Sequence, residues 1–426
     1  IEGELPSPSE LGKGCPFASR CVLAETRCRE SVPPMIAIAP GWCTRCDNAH
    51  TRTADLEKLE ELAAAAPEGA GSIKIEKEID RKGFGSVQKS DFPVIVDARI
   101  KKHCYYARRG FFGRKTPWNV LEDVDLQIKS GEVLGLVGES GCGKSTLARL
   151  MLGLMRPTMG SVKFRDEEYP EPRTAPWRAQ RAAAQMIYQD PFSCFDERMS
   201  ILDQIAEPLE VHLHLSHEDA CTKALQVLRA VGLPEHNAKK LPGVMSGGQL
   251  QRAAIARAVA LRPALLVCDE PVASLDVSIQ AQVLALLNRL KAATHMAMLF
   301  VSHNLNVVRY LCDRAAVMYL GRIVELGPVD EVFHHPQHPY TRLLLASTPG
   351  AEDDVIHFYP KGVMPSPMER PEGCVFANRC PVACDRCRKE VPQLEAVNDH
   401  HQTACFVKHS FITDAPLPGP SQQSGD

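Results

Sequence analysis

The sequence predicts an α/β fold built around a phosphate-binding loop. The segment Gly138–Thr146 reads G-E-S-G-C-G-K-S-T and fits the pattern G-x-x-x-x-G-K-[ST]. The apolar run Val133–Val137 before it is typical of a buried strand, and Leu147–Met151 after it favours a helix. A strand, a glycine loop and a helix start place backbone N–H groups around one anion, so this context predicts a nucleotide site.

The loop residues have distinct expected roles at a bound nucleotide. Lys144 can reach the β- and γ-phosphates, and the Ser145 hydroxyl can ligate Mg²⁺. The remaining loop residues are expected to cradle the phosphates, and they are Gly138, Ser140, Gly141, Gly143 and Thr146.

Length and composition narrow the class of protein. A chain of 426 residues allows two or three domains, and 44% hydrophobic with 24% charged residues is typical of globular proteins. A net charge of −3 gives no electrostatic case for a nucleic-acid partner. No apolar stretch approaches the ~18 residues of a membrane span, and no signal peptide is visible. We therefore expect a chain that is soluble or that reaches a membrane only through a partner; its first residue, Ile1, suggests a fragment or a processed form.

Two further strands are predicted to deliver side chains to the nucleotide. The apolar run Ala264–Cys268 ends in Asp269 and Glu270, at the strand edge where α/β sheets place ligands. Asp269 is expected to hold Mg²⁺, and Glu270 to act as the general base for the attacking water. The run Met298–Val301 leads to His303, which can contact the γ-phosphate or orient that water.

Two elements lie between the loop and these carboxylates. Gln189 follows an apolar run, and by itself it has no diagnostic value. Ser246, Gly247, Gly248 and Gln249 precede a strong helix former, which predicts a second anion site at a helix start.

The two ends of the chain carry the same cysteine pattern. Both read C-x5-C-x6-C followed by a distant fourth cysteine, and the two segments register without a gap from Gly3 and Gly362 to Pro33 and Pro392. The cysteines are Cys15, Cys21, Cys28 and then Cys43 or Cys46 at the front, and Cys374, Cys380, Cys387 and Cys405 at the end. We interpret residues 1–50 as the tail of a preceding, absent unit of the same kind.

Clustered cysteines in a nucleotide-binding chain favour metal binding over disulfides, because such a core indicates a reducing compartment. Four thiolates suit an iron–sulfur cluster or zinc. Free structural thiols are the simpler alternative, and the recurrence of the pattern argues against it. Cys46 and Cys384 lie nearby and could be spare ligands.

The order of these motifs resembles that of ABC ATPases from about Phe92 to Glu325, with Ser274-Leu275-Asp276 as a further match and Met245 where the family usually has Leu. The resemblance implies a RecA-like mixed sheet with a helical subdomain, and a head-to-tail dimer of nucleotide-binding domains. Each ATP would lie between one phosphate loop and the partner's Ser246–Gln249 segment. Gln189 would serve the γ-phosphate and Mg²⁺, and an aromatic residue, Tyr105 or Tyr106, would stack on adenine.

The C-terminal part resembles the ATPase subunits of peptide and nickel importers, through Glu325–Pro328, His338–Thr341 and the cysteine tail. The resemblance implies ATP-driven import of peptides or related solutes, with two separate transmembrane permease subunits and an external substrate-binding protein as partners. It also implies a peripheral position on the cytoplasmic face of the membrane.

In that subfamily the tail can carry a [4Fe–4S] cluster, which would use Cys374, Cys380, Cys387 and Cys405. The repeat extends this to Cys15, Cys21, Cys28 and Cys43, and implies a fused tandem ATPase whose first nucleotide-binding domain is absent. The alternatives are a soluble ABC ATPase not coupled to transport and an importer gated by iron–sulfur redox sensing. The transported solute remains open among peptide, glutathione and metal chelate.

These features divide the chain into five predicted parts. They are the cysteine-rich tail at 1–50, a linker at 51–92 with a helix at Ala54–Ala63, the nucleotide-binding domain at 93–335, the cysteine-rich C-terminal domain at 336–410 and a flexible tail at 411–426.

Overall fold

The computed structural model describes residues 13–18, 21, 24–39, 42–44, 46, 92–108, 115–347, 365 and 370–407. The chain divides into two units, Ile1–Glu76 with Asp276–Gln282, and Lys77–Leu275 with Val283–Asp426. The predicted linker helix at Ala54–Ala63 and the tail at 411–426 lie outside the described residues.

The N-terminal segment contains helix α1 (Thr26–Glu30) and an antiparallel hairpin of β1 (Ile36–Ala39) and β2 (Trp42–Thr44). Cys28 is buried, and its carbonyl oxygen accepts a hydrogen bond from the Cys15 N–H at 2.7 Å. A Cβ at Gly14 would lie 2.4 Å from that same oxygen, so the close approach requires glycine here.

The remaining described residues form twelve strands and ten α-helices. In chain order the strands are β3 (Val94–Arg108), β4 (Lys115–Lys129), β5 (Val133–Val137), β6 (Met159–Phe164), β7 (Glu167–Glu168), β8 (Ala184–Ile187), β9 (Leu265–Asp269), β10 (Ala297–Val301), β11 (Arg314–Tyr319), β12 (Arg322–Pro328), β13 (Glu395–Ala396) and β14 (Gln402–Thr403). The helices are α2 (Lys144–Met151), α3 (Ala175–Ala183), α4 (Ile201–Leu213), α5 (His217–Ala230), α6 (Gly247–Val259), α7 (Val277–Thr294), α8 (Leu305–Leu311), α9 (Val329–His334), α10 (Pro339–Ala346) and α11 (Asp385–Lys389).

The strands form two larger sheets. One has the order β13-β14-β12-β11-β5-β10-β9-β8, in which β8, β9, β10, β5 and β11 pair in parallel and the other three strands pair antiparallel. Every residue of β5, β9 and β10 is buried, as expected for parallel strands covered on both faces. The second sheet is antiparallel with the order β4-β3-β6-β7. The prediction of a mixed α/β fold is thus confirmed.

The hydrophobic core lies between the two sheets and helix α2. Alternate residues of β3, among them Val96, Ala98 and Ile100, are fully buried and pack in one cluster with Leu134 and Leu147. The phosphate loop joins β5 to α2, so burying these apolar side chains also fixes the position of the loop.

The C-terminal segment is attached to the main sheet through a buried carboxylate. Glu325 on β12 is fully buried and accepts hydrogen bonds from the backbone N–H groups of Gln337 (2.7 Å) and His338 (2.9 Å). Its Oε1 also lies 2.7 Å from Nε2 of His401, a residue next to β14. Three donors therefore satisfy a carboxylate that would be costly to bury alone.

His338 is expected to make stability depend on pH. Burial lowers its pKa to about 3, and Nδ1 of the neutral ring accepts the Tyr340 N–H at 3.1 Å. In the unfolded chain this imidazole takes up a proton near pH 6.5. Because the folded chain does not, the contribution of His338 should lower the free energy of unfolding by about 1.4 kcal/mol for each pH unit below 6.5. His338→Asn keeps a capping acceptor without the titration. Urea unfolding between pH 8 and pH 5 should give a shallower slope for this variant, and equal slopes would contradict the assignment.

The two ends of the chain share their local backbone contacts. The Cys374 N–H donates to the Cys387 carbonyl at 2.8 Å, as that of Cys15 does to Cys28. Glu395 pairs with Thr403 in one hairpin, and Ile36 pairs with Thr44 in the other. The numbering difference that relates Cys15 to Cys374 also relates Cys46 to Cys405, whereas it relates Cys43, on β2, to Gln402. The hairpin register therefore favours Cys46, and not Cys43, as the fourth cysteine of the front segment.

Candidate active site

The predicted site residues converge on one edge of the main sheet. The phosphate loop follows β5, and β10, β9 and β8 lie beside it in that order. His303 follows β10, Asp269 and Glu270 stand at the end of β9, and Gln189 follows β8. Four neighbouring parallel strands thus bring groups that are distant in sequence to one place, as the rule for ligand sites in α/β sheets predicts.

The phosphate loop closes around the Lys144 ammonium group. Nζ donates to the carbonyl oxygens of Gly138 (2.7 Å) and Glu139 (3.0 Å), and the side chain is 6% exposed. Gly143 caps α2 at φ +111°, a conformation that favours glycine. A Cβ at Gly141 would meet no atom within 4 Å, so the space beside this glycine is open. The loop therefore offers a cation and a helix start beside open space.

Ser145 and Asp269 form a pair of oxygen donors. Ser145 Oγ donates to Asp269 Oδ1 at 3.2 Å, and Asp269 is buried. Burial raises the pKa of the Asp269 carboxyl, while the bond from Ser145 lowers it. A hydroxyl and a carboxylate are the hard ligands that Mg²⁺ takes, and a dication would offset the cost of burying this charge. The two residues therefore fit a magnesium site.

Glu270 is held by two neighbours through a single oxygen. His303 Nδ1 lies 3.1 Å from Glu270 Oε2, and Gln189 Nε2 donates to that same oxygen at 3.5 Å. Oε1 accepts no hydrogen bond from the part of the chain that the structure describes. Glu270 has φ +48°, unusual for a residue with a Cβ, and its N–H donates to the Val301 carbonyl. Gln189 thus contacts Glu270, and no described hydrogen bond joins it to Ser145 or Asp269.

The structure distinguishes the two candidate tyrosines. The Tyr105 hydroxyl lies 3.4 Å from Thr146 Oγ1, and its ring lies 6.0 Å from that of Trp118. Tyr106 is exposed. Because neighbouring residues of a strand point to opposite faces, only Tyr105 reaches the phosphate loop.

Ser246 and Gln249 build the start of α6. The Ser246 hydroxyl accepts the Gln249 N–H at 3.3 Å, and the Gln249 side chain accepts the Ser246 N–H at 3.2 Å, which completes a capping box. Ser246 and Gly247 are exposed, and Gly248 is half-buried. The predicted helix start is confirmed, and it presents backbone N–H groups to solvent.

A contact between the phosphate loop and the C-terminal segment was not predicted from the sequence. Arg379 Nη1 donates to both carboxylate oxygens of Glu139, at 3.1 and 3.0 Å, and to the Tyr319 hydroxyl at 3.3 Å. The Glu139 N–H donates to the Tyr340 hydroxyl at 2.8 Å. Phe376 packs against both tyrosine rings. The only sequence signal was the Phe-Ala-x-Arg shared by the two cysteine segments.

The C-terminal cysteines lie close together. Cys374 and Cys387 are buried, and Cys380 and Cys405 are half-buried. Burial raises the pKa of Cys374 and of Cys405 to about 11, that of Cys380 to about 12, and that of Cys387 in the same direction. Cys374, Cys380 and Cys405 each also experience the charge of at least one other thiol of the group, and Cys387 experiences that of Cys384. In the residues described, no three of these sulfurs lie within 4.8 Å of one another.

Cys384 is exposed, and its sulfur lies 3.4 Å from that of Cys387. Its sulfur is therefore close enough to take the place of the Cys387 sulfur as a ligand. Cys15, Cys21 and Cys46 are half-buried.

None of the helices in the described part of the chain is long and apolar enough to cross a membrane.

A strand–loop–helix phosphate site with a paired carboxylate and base defines a P-loop nucleotide hydrolase. A family model described as ABC transporter matches residues 121–273, and one described as oligopeptide/dipeptide transporter, C-terminal region, matches 1–28 and 324–387. The chain is 43% identical over 322 residues to the di/tripeptide transport ATP-binding protein DppF of Pseudomonas aeruginosa, covering 75% of this chain and 99% of that one. It is 41% identical over 318 residues to the oligopeptide transport ATP-binding protein OppF of Escherichia coli, covering 73% and 95%.

Two solved structures are similar at a TM-score of 0.50. One is cbiO1 of Clostridium perfringens, part of the ABC transporter complex cbiONQ, at 25% identity over 57% of this chain and 92% of that one. The other is the dimeric, post-hydrolysis ATP-binding cassette MJ0796 bound to ADP and Pi, at 26% identity over 55% and 99%. The chain belongs to the family of peptide ABC transporter ATP-binding proteins, and as a member of that family it is an ATPase.

Proposed function

We propose that this chain hydrolyses ATP to drive import of peptides or related small solutes through separate transmembrane subunits. The observation that carries the proposal is the convergence of Lys144, the Ser145–Asp269 pair and Glu270 on one sheet edge. The names of the relatives DppF and OppF support di/tripeptides and oligopeptides as the class of solute. They give no support to a soluble ABC ATPase that is not coupled to transport.

Different side chains of the chain bind the phosphates, the Mg²⁺ ion and the adenine of ATP. Lys144 exchanges its loop carbonyls for the β- and γ-phosphates, and the loop N–H groups bind the remaining phosphate oxygens. Ser145 and Asp269 would hold Mg²⁺, with Gln189 assigned to it by resemblance. When bound, this ion neutralises charge that develops on the phosphates. Tyr105 is the side chain that we assign to adenine.

Glu270 is the base in this mechanism. His303 and Gln189 fix its orientation through Oε2, so Oε1 is available to accept a proton from the attacking water. The Glu270 carboxylate keeps the His303 proton on Nδ1, so Nε2 can turn toward the γ-phosphate. The positive φ of Glu270 aims the carboxylate out of the strand.

Ser246, Gly247, Gly248 and Gln249 serve an ATP bound to a second nucleotide-binding domain. The exposure of Ser246 and Gly247 at the start of a 13-residue helix supports this role, because a helix N-terminus binds anions. The dimeric state of the MJ0796 cassette supports it by analogy. The further partners are two permease subunits and a substrate-binding protein, with the chain at the cytoplasmic face of the membrane and no nucleic-acid partner.

An uptake assay tests the proposed function. A strain that lacks this gene should fail to accumulate labelled di- and oligopeptides, and the wild-type gene should restore uptake. Lys144→Ala should not restore it, although the protein is present. Normal peptide uptake in the deletion strain would overturn the proposal.

The domain boundaries are also proposals. We assign 1–50 to the tail of a preceding nucleotide-binding domain, 51–92 to a linker, 93–335 to the ATPase, 336–410 to the C-terminal domain and 411–426 to a flexible tail. The second match of the transporter C-terminal model, at 1–28, supports an N-terminal copy in a fused tandem protein. The shared backbone contacts at the two ends support it too.

Each cysteine segment is proposed to hold a [4Fe–4S] cluster. Thiolates around a single Zn²⁺ would lie about 3.8 Å apart, given Zn–S bonds of about 2.3 Å. In a cluster each thiolate binds a different iron, so the four sulfurs need not approach as closely as at zinc, and among the described C-terminal cysteines no three sulfurs lie within 4.8 Å of one another. The ligands would be Cys374, Cys380, Cys387 and Cys405 at the end, and Cys15, Cys21, Cys28 and Cys46 at the front.

Iron and acid-labile sulfide assays on anaerobically purified protein test this assignment. Cys405→Ser should remove about four irons and four sulfides per chain, whereas Cys384→Ser, the matched control, should remove none. At the front, Cys46→Ser should cause the same loss and Cys43→Ser should not. Zinc in place of both iron and sulfide would rule out the iron–sulfur assignment. Redox control of transport through the cluster is a separate hypothesis, and it requires ATPase rates that differ between its oxidised and reduced forms.

A further inference from the structure

We propose that Asp203, His217 and Cys221 form a binding site for a transition-metal dication, with Zn²⁺ as the preferred ion. One ligand atom from each residue lies within 4.8 Å of the other two. The site lies on helices α4 and α5, and it shares no residue with the ATP site or the cysteine segments.

The N-cap residues of the two helices fix where these ligands lie along each helix. Ser200 caps α4 by accepting the Asp203 N–H, which puts Asp203 in the first turn. Ser216 caps α5, so His217 is its first residue. Cys221 is four residues further on, hence on the same face of α5 as His217. The packing of α4 against α5 brings Asp203 to this face.

A carboxylate orients the histidine. His217 Nδ1 lies 2.7 Å from Glu210 Oε1, so the imidazole proton is held on Nδ1 and Nε2 presents its lone pair. Carboxylate–histidine pairs of this kind support the histidine ligands of metal sites. Glu210 is therefore a positioning residue, and not a ligand.

The distances match tetrahedral zinc. His217 Nε2 lies 3.6 Å from Cys221 Sγ. Zn–N bonds of about 2.0–2.1 Å and Zn–S bonds of about 2.3 Å at a tetrahedral angle separate the two atoms by about 3.6 Å. Asp203 uses Oδ2 to accept the Ser200 hydroxyl at 2.7 Å, which leaves Oδ1 as the third ligand. The Asp203 carboxylate would move slightly closer to the other two ligand atoms to complete the coordination of the ion.

The ligand types select the class of ion. A thiolate and an imidazole favour zinc and its neighbours over Mg²⁺ and Ca²⁺, which prefer oxygen. Asp203 and Cys221 are half-buried and His217 is exposed, so water can enter from solvent and take the fourth position. A bound ion would cross-link α4 to α5.

Cobalt and zinc titrations of the full chain test the site. Metal-depleted wild type should show a thiolate-to-Co²⁺ charge-transfer band, and the difference spectrum against Cys221→Ser removes any contribution from the cysteine segments. Cys221→Ser and His217→Ala should each bind one equivalent of Zn²⁺ fewer than wild type. Glu210→Gln should weaken that equivalent by about 10–100-fold. Cys194→Ser is the matched control and should behave as wild type.

Equal zinc stoichiometry and cobalt spectra in wild type and Cys221→Ser would overturn the site. A loss confined to Cys221→Ser, with His217→Ala unchanged, would also overturn it, because the site needs both ligands. Far-ultraviolet circular dichroism should be the same for all variants, since each replaced side chain is at least partly exposed to solvent. Because the readout is metal binding, failure here leaves the proposed ATPase role intact.

Discussion

Glu270→Gln is expected to lower the rate of ATP hydrolysis at least about 100-fold while leaving ATP binding intact, because a general base contributes about 10²–10⁴-fold. The amide keeps the shape of the side chain and its contact with His303, yet it cannot accept a proton from water. Glutamine matches glutamate in size and shape, so we expect the variant to keep the backbone conformation of Glu270 and the fold. Phosphate release and equilibrium binding of a labelled ATP measure the two properties separately.

The control for this variant is Glu168→Gln, which removes a carboxylate from the exposed strand β7. It should hydrolyse ATP at the wild-type rate. Undiminished hydrolysis by Glu270→Gln would remove Glu270 from the role of base. Loss of ATP binding together with hydrolysis would instead indicate that the residue acts on the phosphate loop.

Arg379→Met is expected to have the second-largest effect, on stability and on the affinity for ATP together. The side chain is 9% exposed and its Glu139 partner 27%, so the methionine would leave a largely buried carboxylate without its cation. Removing one partner of a buried pair costs about 3–5 kcal/mol, and the partial exposure of Glu139 places the expected loss near 3 kcal/mol. Glu139 belongs to the phosphate loop, so the Kd for ATP should rise as well.

Arg386→Met is the matched control in the same segment. Its ion pair with Glu390 is more than half exposed on both sides, and its guanidinium lies 4.0 Å from the centroid of the Phe406 ring, so its replacement should cost no more than about 1–2 kcal/mol. Denaturant unfolding and ATP titration of both variants give the comparison. Equal stabilities for Arg379→Met and Arg386→Met would show that the contact with Glu139 contributes nothing measurable.

The parts of the site that the sequence predicted are those with a local pattern. Gly138–Thr146 carries its own strand, loop and helix signals, and Asp269 and Glu270 follow directly from a buried run. Because parallel strands end at one edge of a sheet, the meeting of these groups could be expected from the order of the strands and motifs along the chain. The capping at Ser246 was predictable for the same local reason.

What the sequence could not predict depends on contacts between distant segments. Arg379 and Glu139 are 240 residues apart, and neither position belongs to a pattern that names the other. The choice between Tyr105 and Tyr106 required knowing which face of β3 meets the loop. The choice between Cys43 and Cys46 is different, because the constant offset between the two segments already relates Cys46 to Cys405, and the pairing of the two hairpins agrees with it.

The buried Glu325 has a practical consequence for anyone who trims this protein to a minimal catalytic domain. A boundary placed after Ala346 would look natural, since the core sheet and its active-site edge precede it. Such a truncation would remove His401, one of the three hydrogen-bond donors to Glu325. The Glu325 carboxylate would then remain buried on β12, the strand that pairs with β11, with only two donors. The shortened protein should aggregate or require a compensating Glu325→Gln replacement, so expression boundaries are best placed beyond the last C-terminal cysteine.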